Sequence, residues 1–301
     1  MQAIQILDLQ FLGKSDTIAA FLLETTVGPV LFETGPYSTW QSLTTALHEH
    51  GYQPADIQHV FLTHIHLDHA GAAWAFAQQG ATIYVHPFGQ RHLHNPEKLW
   101  NSAKMIYQDK MEYLWGDMQG IPLEQLHTVA HGEQIRLGDT TITAWHTPGH
   151  AIHHIAWQIG DSLICGDVAG VRIDGGIAIP PCPPPDIHIE DWQASLALIR
   201  SLAIKTLYLT HYGAFTDVAA HLNTLEQRLL DRAAWMKPYF DQQANPKEIT
   251  PLFQQYVLDE LIANGIRDTK TQEQYENANP SWMSVAGLLR YWQKKQADRK
   301  N

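Results

Sequence analysis

The sequence predicts a layered α+β fold followed by a helical C-terminal extension. Three observations carry this reading. Apolar runs at strand spacing alternate with helix-like stretches over the first 85 residues. Strand signals then return between residues 134 and 209, and from about residue 218 almost every stretch has helical periodicity. We therefore place one mixed domain over residues 1–217, with a helical insertion at about 87–122, and a helical extension over 218–301.

Residues 4–11 and 18–24 carry apolar and β-branched residues at strand spacing, and Gly28-Pro29 turns the chain into Val30-Leu31-Phe32. Residues 40–50 have helical periodicity and stop at Gly51. Residues 57–62 suit a buried strand, 72–79 an Ala-rich helix ended by Gly80, and 82–85 the next strand. The insertion at 87–122 holds Trp100, Tyr107, Tyr113 and Trp115 on helix-like spacing, as rings that pack on the body or line a pocket. Strands are expected at 134–137, 140–145, 154–158, 162–165 and 206–209, a stiff proline-rich loop at 180–185, and an amphipathic helix at 191–202. Helices are expected at 219–237, 251–264, 271–275 and 283–295. Trp282, Tyr291 and Trp292 are expected to pack over the core and narrow the pocket.

Composition excludes several classes. A chain of 301 residues can bury a substantial core, and 45% apolar with 17% charged residues is an ordinary globular balance. The net charge of −11 argues against a nucleic-acid partner. The basic pairs Lys294-Lys295 and Arg299-Lys300 read as a solvated helix end. Cys165 and Cys182 demand no disulfide, and Cys165 in an apolar strand reads as a packed core thiol. The first residues lack a signal-peptide pattern, and no stretch approaches the roughly 18 apolar residues of a membrane span. A cytoplasmic protein acting on a small molecule, with no nucleic acid and no membrane partner, is the expectation. The oligomeric state stays open, a homodimer included.

Residues 63–71, Thr63-His64-Ile65-His66-Leu67-Asp68-His69-Ala70-Gly71, carry the chemistry. In extended backbone, side chains two apart point the same way, so His64 and His66 reach one ion. Asp68 and His69 fall where the chain bends into a helix and face a second point nearby. Further ligand types follow strands elsewhere: His150 after Thr147-Pro148-Gly149, Asp167 after Cys165-Gly166, and His211 within Leu209-Thr210-His211-Tyr212-Gly213. Ligands offered from several strand ends converge on one edge of a layered fold.

With these residues in this order, the chain resembles the metallo-β-lactamase-fold hydrolase superfamily over roughly residues 1–225. Gly149-His150-Ala151 before His153-His154, and Thr210-His211-Tyr212-Gly213, look most like its glyoxalase II-like and lactonase-like branch. One departure is Glu33-Thr34-Gly35, where many relatives have Asp-Thr-Gly. The resemblance implies a four-layer αββα sandwich and two divalent metal ions. One is held by His64, His66 and His150, the other by Asp68, His69 and His211, with Asp167 bridging. Zinc is the first choice, and Fe or Mn suit the same donors.

Two such ions share a water and lower its pKa towards neutrality, to about 7 as at single-zinc sites. The hydroxide bridging them would cleave an ester, thioester or lactone. Asp68 would accept a proton and Tyr212 would donate a hydrogen bond to the developing oxyanion. His153 or His154 would support the site or touch substrate, His86 is expected to pack structurally, and Arg172 would meet an acidic substrate group. In glyoxalase II, basic C-terminal residues bind glutathione; Arg290 and Lys294 are the residues here to set beside them. The alternatives are a single-iron oxidoreductase of the sulfur dioxygenase type and, further off, a nuclease.

Overall fold

The structure is a computed structural model that describes residues 3–298. The first sheet runs β1 (Gln5–Asp8), β2 (Ala19–Thr25), β3 (Gly28–Phe32), β4 (His59–Phe61), β5 (Thr82–Val85) and β6 (Leu126–Thr128) in that spatial order. Its first three strands are antiparallel, and β3 to β6 are parallel. The second sheet holds β7 (Gln134–Leu137), β8 (Thr140–His146), β9 (Ile155–Ile159), β10 (Ser162–Ile164), β11 (Thr206–Leu209) and β12 (Gly213–Phe215). Among the described residues, only β10 and β11 pair in parallel there.

Alternation along the strands sorts side chains into layers. Phe21, Val30, Phe32 and Phe61 of the first sheet meet Ile142, Ile155, Trp157 and Ile164 of the second in a core between the sheets. Their neighbours Ala20, Leu22, Leu31 and Val60 face outward beneath the helices α1 (Trp40–Glu49), α2 (Leu67–Ala70) and α3 (Ala73–Gln78). A period of two thus gives the central strands apolar contacts on both faces, while β7 and the start of β8 turn Gln134, Arg136 and Thr141 to solvent. Phe61 shows the packing density: it stacks on Tyr84 at 4.3 Å and Phe32 at 5.1 Å and meets Trp157 edge-on at 5.0 Å.

The insertion forms α4 (Pro87–His94), α5 (Glu97–Tyr107) and α6 (Met111–Trp115). Trp115 stacks on Phe11 of the body, whereas Tyr113 is exposed. The outer face of the second sheet is covered by α7 (Ile189–Ser201) and by α8 (Val218–Asp241), α9 (Pro246–Ala263), α10 (Thr269–Ala278) and α11 (Ser281–Asp298). Leu163, Leu207 and Leu209 of the sheet share one apolar cluster with Leu225, Phe253 and Leu288 of these helices. The four-layer αββα sandwich with a helical C-terminal region is therefore the observed fold. Arg299 and Lys300, half of the expected basic tail, lie outside the described residues.

Several bounds differ from the sequence reading. The first strand stops at Asp8 because its carboxylate accepts from the Gln10 main chain, and Gln10 and Leu12 then take left-handed conformations. Helix α9 starts at Pro246, ahead of the expected 251, since the Asn245 side chain accepts from Lys247 N and proline is tolerated in the first turn. Among the described residues, no helix is long and apolar enough to cross a membrane.

Candidate metal centre

The seven predicted ligand residues meet at one edge of the sandwich. After β4, the extended backbone at His66 leads into α2, so His64 and His66 project together before Asp68 and His69 turn away. His150 lies between β8 and β9, Asp167 follows β10, and His211 lies between β11 and β12. At this edge the sheets are joined by main-chain bonds, Ala19 N to Thr210 O at 2.8 Å and Ile155 N to Thr63 O at 2.7 Å. Gly149 permits the approach of α7: at φ 133°, a Cβ there would lie 2.4 Å from Trp192 Cα.

The donor atoms form three overlapping groups: His64, His66 and His150; Asp68, His69 and His211; and His64, His69 and Asp167. His66 Nδ1 lies 2.9 Å from His64 Nε2 and 3.1 Å from His150 Nε2. Nitrogens held about 2.0–2.1 Å from one tetrahedral ion lie roughly 3.3 Å apart, close to this spacing. His211 Nε2 and His69 Nε2 sit 3.5 and 3.7 Å from Asp68 Oδ2. Asp167 spans the two: Oδ1 is 3.3 Å from His69 Nε2, and Oδ2 is 3.3 Å from His150 Nε2.

Four of the five histidines have an anchor on the outer ring nitrogen. His64 Nδ1 meets Thr63 Oγ1 at 3.0 Å, and His150 Nδ1 meets Pro181 O at 2.9 Å. His211 Nδ1 meets Thr17 O at 2.8 Å, and His69 Nδ1 meets Glu33 Oε2 at 3.0 Å. Such anchors fix ring orientation and leave the inner nitrogen free for a ligand. The inner atoms His69 Nε2, His211 Nε2 and Asp167 Oδ1 are buried without a hydrogen bond. Buried polar atoms are rarely left so.

The electrostatics fit cations. Burial and neighbouring imidazoles push His64 well below its ordinary pKa and His66 down to about 3, so both rings are neutral lone-pair donors at neutral pH. Burial opposes charge on His69, but Asp167, Asp68 and Glu33 outweigh it and raise its pKa. Burial likewise pushes Asp68 up, yet His69 and His211 hold it at about 2. Carboxylates interleaved with imidazoles in this way suit divalent ions.

A family model described as the metallo-beta-lactamase superfamily matches residues 16–211, about two-thirds of the chain. The chain belongs to that superfamily. A metallo-beta-lactamase fold-containing protein of Sulfurisphaera tokodaii is 28% identical over 162 residues, covering 52% of this chain and 61% of that relative. The match thus spans about three-fifths of the relative's own length. A metallo-beta-lactamase family protein of Thermus thermophilus superposes with a TM-score of 0.68 at 19% identity, over 98% of this chain and 94% of its own. A subclass B3 metallo-beta-lactamase of Bradyrhizobium japonicum gives 0.57 at 18% identity, over 78% and 92%. At these identities the solved structures speak for the metallo-beta-lactamase fold alone.

Within this metallo-beta-lactamase frame some expected residues sit elsewhere. Tyr212 is not brought to the cluster. Its ring packs against the core between the sheets, and its hydroxyl faces Asp16 and Asp8, which together with burial raise its pKa. Arg172 is turned to the protein: Nη1 bonds both Asp217 oxygens at 2.8 and 2.9 Å, and the guanidinium lies 4.3 Å over Phe215. Arg290 Nε and Lys294 Nζ both donate to Pro185 O, at 3.2 and 2.7 Å.

The paired histidines divide in role. His154 accepts from Asp167 N at 3.1 Å and meets Thr147 Oγ1 at 2.8 Å, holding Asp167 from behind. His153 lies beside His64 and His66, with Nδ1 buried and unbonded. His86 packs on His146 and accepts from Phe88 N at the start of α4.

Two residues named only in passing from the sequence lie close to the cluster. Glu33 is fully buried and joins His69 to Thr63 N, which it accepts at 2.9 Å. Its only signal was a carboxylate kept where relatives place aspartate. Tyr107 of the insertion meets Trp282 edge-on at 5.9 Å, and burial together with Asp68 raises its phenol pKa. The insertion and the C-terminal helices thus meet on the Asp68 side of the cluster.

Proposed function

We propose that the chain is a dinuclear metallo-hydrolase that cleaves an ester, thioester or lactone bond of a small molecule. The observation that carries this reading is the pair of donor groups joined by the two oxygens of Asp167. His64, His66 and His150 would hold one divalent ion, Asp68, His69 and His211 the other, with zinc favoured and Fe or Mn compatible with the same donors. Bound ions would supply Lewis acidity, lowering the pKa of water to about 7 and polarising a carbonyl oxygen.

The chain's own residues do the rest. Glu33, Thr63, Pro181 and Thr17 keep the outer ring nitrogens of His69, His64, His150 and His211 occupied, so the inner nitrogens of these four face the reacting centre. Asp68 is the more accessible carboxylate, with 24% of its side chain exposed against 5% for Asp167, and is the group placed to take and return a proton. His153 packs edge-on against His66 beside the first group and helps to hold that ring. Because Arg172, Arg290 and Lys294 are tied to protein acceptors, the reading favours neutral substrates over acidic ones.

The test is a metal-quantified panel of esters, thioesters, lactones and a β-lactam, assayed with Zn²⁺, Mn²⁺ and Fe²⁺. Two metal equivalents, with activity lost on chelation and in His66→Ala, are expected. Equal turnover by metal-free protein would sink the proposal. One iron per chain with oxygen consumption would replace it by the dioxygenase reading, and tight RNA binding at physiological salt by the nuclease one.

A further inference from the structure

We infer that the C-terminal helices act as a positioning clamp for His150, by gripping the proline-rich segment at 180–182 from outside. This rests on reading His64, His66 and His150 as one metal-holding group. The outer nitrogen of the His150 ring has one bond, Nδ1 to Pro181 O at 2.9 Å, so the placement of that carbonyl helps to set the direction of Nε2. Pro180, Pro181 and Pro183 have no main-chain N–H, so this segment cannot be fixed by ladder bonds of its own. Its last main-chain tie on the body side is the pairing of Ile179 with Val171.

The C-terminal helices supply the rest. Pro180 O accepts from Asn279 Nδ2, between α10 and α11, at 3.3 Å. It also accepts from Arg232 Nη1 of α8 at 3.5 Å. Both donors are buried and held in turn: Asn279 Oδ1 accepts from Ser284 Oγ at 3.0 Å, and Arg232 Nη2 pairs with Glu260 of α9 at 2.9 Å. On the other side of Pro181, α11 lies directly against Cys182. A Cβ on Gly287 would fall 2.0 Å from the Cys182 carbonyl oxygen and 2.9 Å from its carbon. The carbonyl that aims His150 is therefore bracketed, one residue before and one after, by groups from α8, α10–α11 and α11. Among the described residues, no hydrogen bond links these helices to Glu33 or Thr17, the anchors of His69 and His211. On that side Gln274 of α10 reaches Ser15 O at 2.7 Å, and His221 of α8 meets the Arg172 side chain at 3.2 Å, so the helices touch neighbours of the His211 site but neither anchor itself.

The experiment uses the full chain and Zn²⁺, with affinities measured by competition against a chromophoric chelator. Gly287→Ala pushes on Cys182. Asn279→Asp keeps the acceptor for Ser284 and removes the donor to Pro180. Wild type is expected to bind two equivalents, one of which is lost in His66→Ala. That same equivalent should weaken about tenfold to a hundredfold in either variant, the usual effect of disturbing a ligand's own support, while the other holds. Leu47→Ala, a core truncation in α1 beneath the first sheet, should lower the melting temperature without metal loss. Wild-type affinity for both equivalents in both variants overturns the clamp alone. Equal metal loss in Leu47→Ala at a matched fall in melting temperature also overturns it, since general loosening would then suffice. Wild type that binds no metal overturns the metal-centre reading itself, and the clamp with it.

Discussion

Replacing Glu33 by glutamine should weaken one metal equivalent and spare the other. Glu33 is fully buried and uses both oxygens, Oε2 towards His69 Nδ1 and Oε1 towards Thr63 N. An amide has only one acceptor oxygen. If that oxygen stays on Thr63, the NH₂ faces His69 Nδ1, and the ring must carry its proton on Nε2, the atom 3.3 Å from Asp167 Oδ1. If it turns to His69 instead, a buried N–H of Thr63 is left opposed by a donor, at about 1–3 kcal/mol. Either arrangement takes support from His69 as a ligand. Losing such a partner costs about tenfold to a hundredfold in metal affinity, or about 1.4–2.8 kcal/mol. His66 and His150 do not touch Glu33, so their ion should hold. Zinc titration against a chelator, with cobalt spectra to separate the equivalents, reads this directly. Unchanged affinity for both equivalents in Glu33→Gln would refute the reasoning, as would equal loss from both.

Three further outcomes are expected. His221 is buried, bonds Ala169 O at 2.7 Å, and is pushed by burial to about 4. The unfolded chain therefore protonates it first, near 6.5, and its share of stability is complete above that pH and lost as pH falls towards 4. The loss amounts to about 3 kcal/mol, and urea unfolding at about pH 7 and pH 4 should show a shallower fall in His221→Gln than in wild type. Phe61→Ala should cost about 3–5 kcal/mol in urea unfolding, since its ring is fully enclosed by Phe32, Tyr84 and Trp157. Arg172→Ala should lower stability by about 1–3 kcal/mol through the Asp217 bonds, yet leave KM for carboxylate-bearing substrates unchanged. A large rise in that KM would return Arg172 to the substrate.

What the sequence made legible was local. Extended backbone puts His64 and His66 on one side, and the strand-to-helix bend separates Asp68 and His69 from them; both follow from neighbours in the chain. That alternation does not reach Tyr212, which lies in the turn between β11 and β12 with its hydroxyl towards Asp16 and away from the cluster; the course of that turn decides this, and no local spacing encodes it. Strands β6 and β12 went unread because each is three residues long and stabilised by its neighbour, β5 or β11, more than by its own pattern. Glu33 was named only as a departure from a pattern. Its contact with His69 spans 36 residues, and no local spacing encodes that. Arg290 and Lys294 are basic on a helix near the C-terminus, but what they face is decided by the course of the loop at 180–185.

The bond between His211 Nδ1 and Thr17 O joins residues 194 apart. Closing so long a loop is slow and comes late, after the local strands and helices exist. On a nascent chain, residues 64–69 are complete long before residue 211 has been made, so the donor set that includes His211 is absent until most of the polypeptide is in place. Ions binding only the finished arrangement would stabilise it by mass action, without rewarding any earlier intermediate. Metal loading would then act as a report that synthesis and folding of the whole sandwich are done.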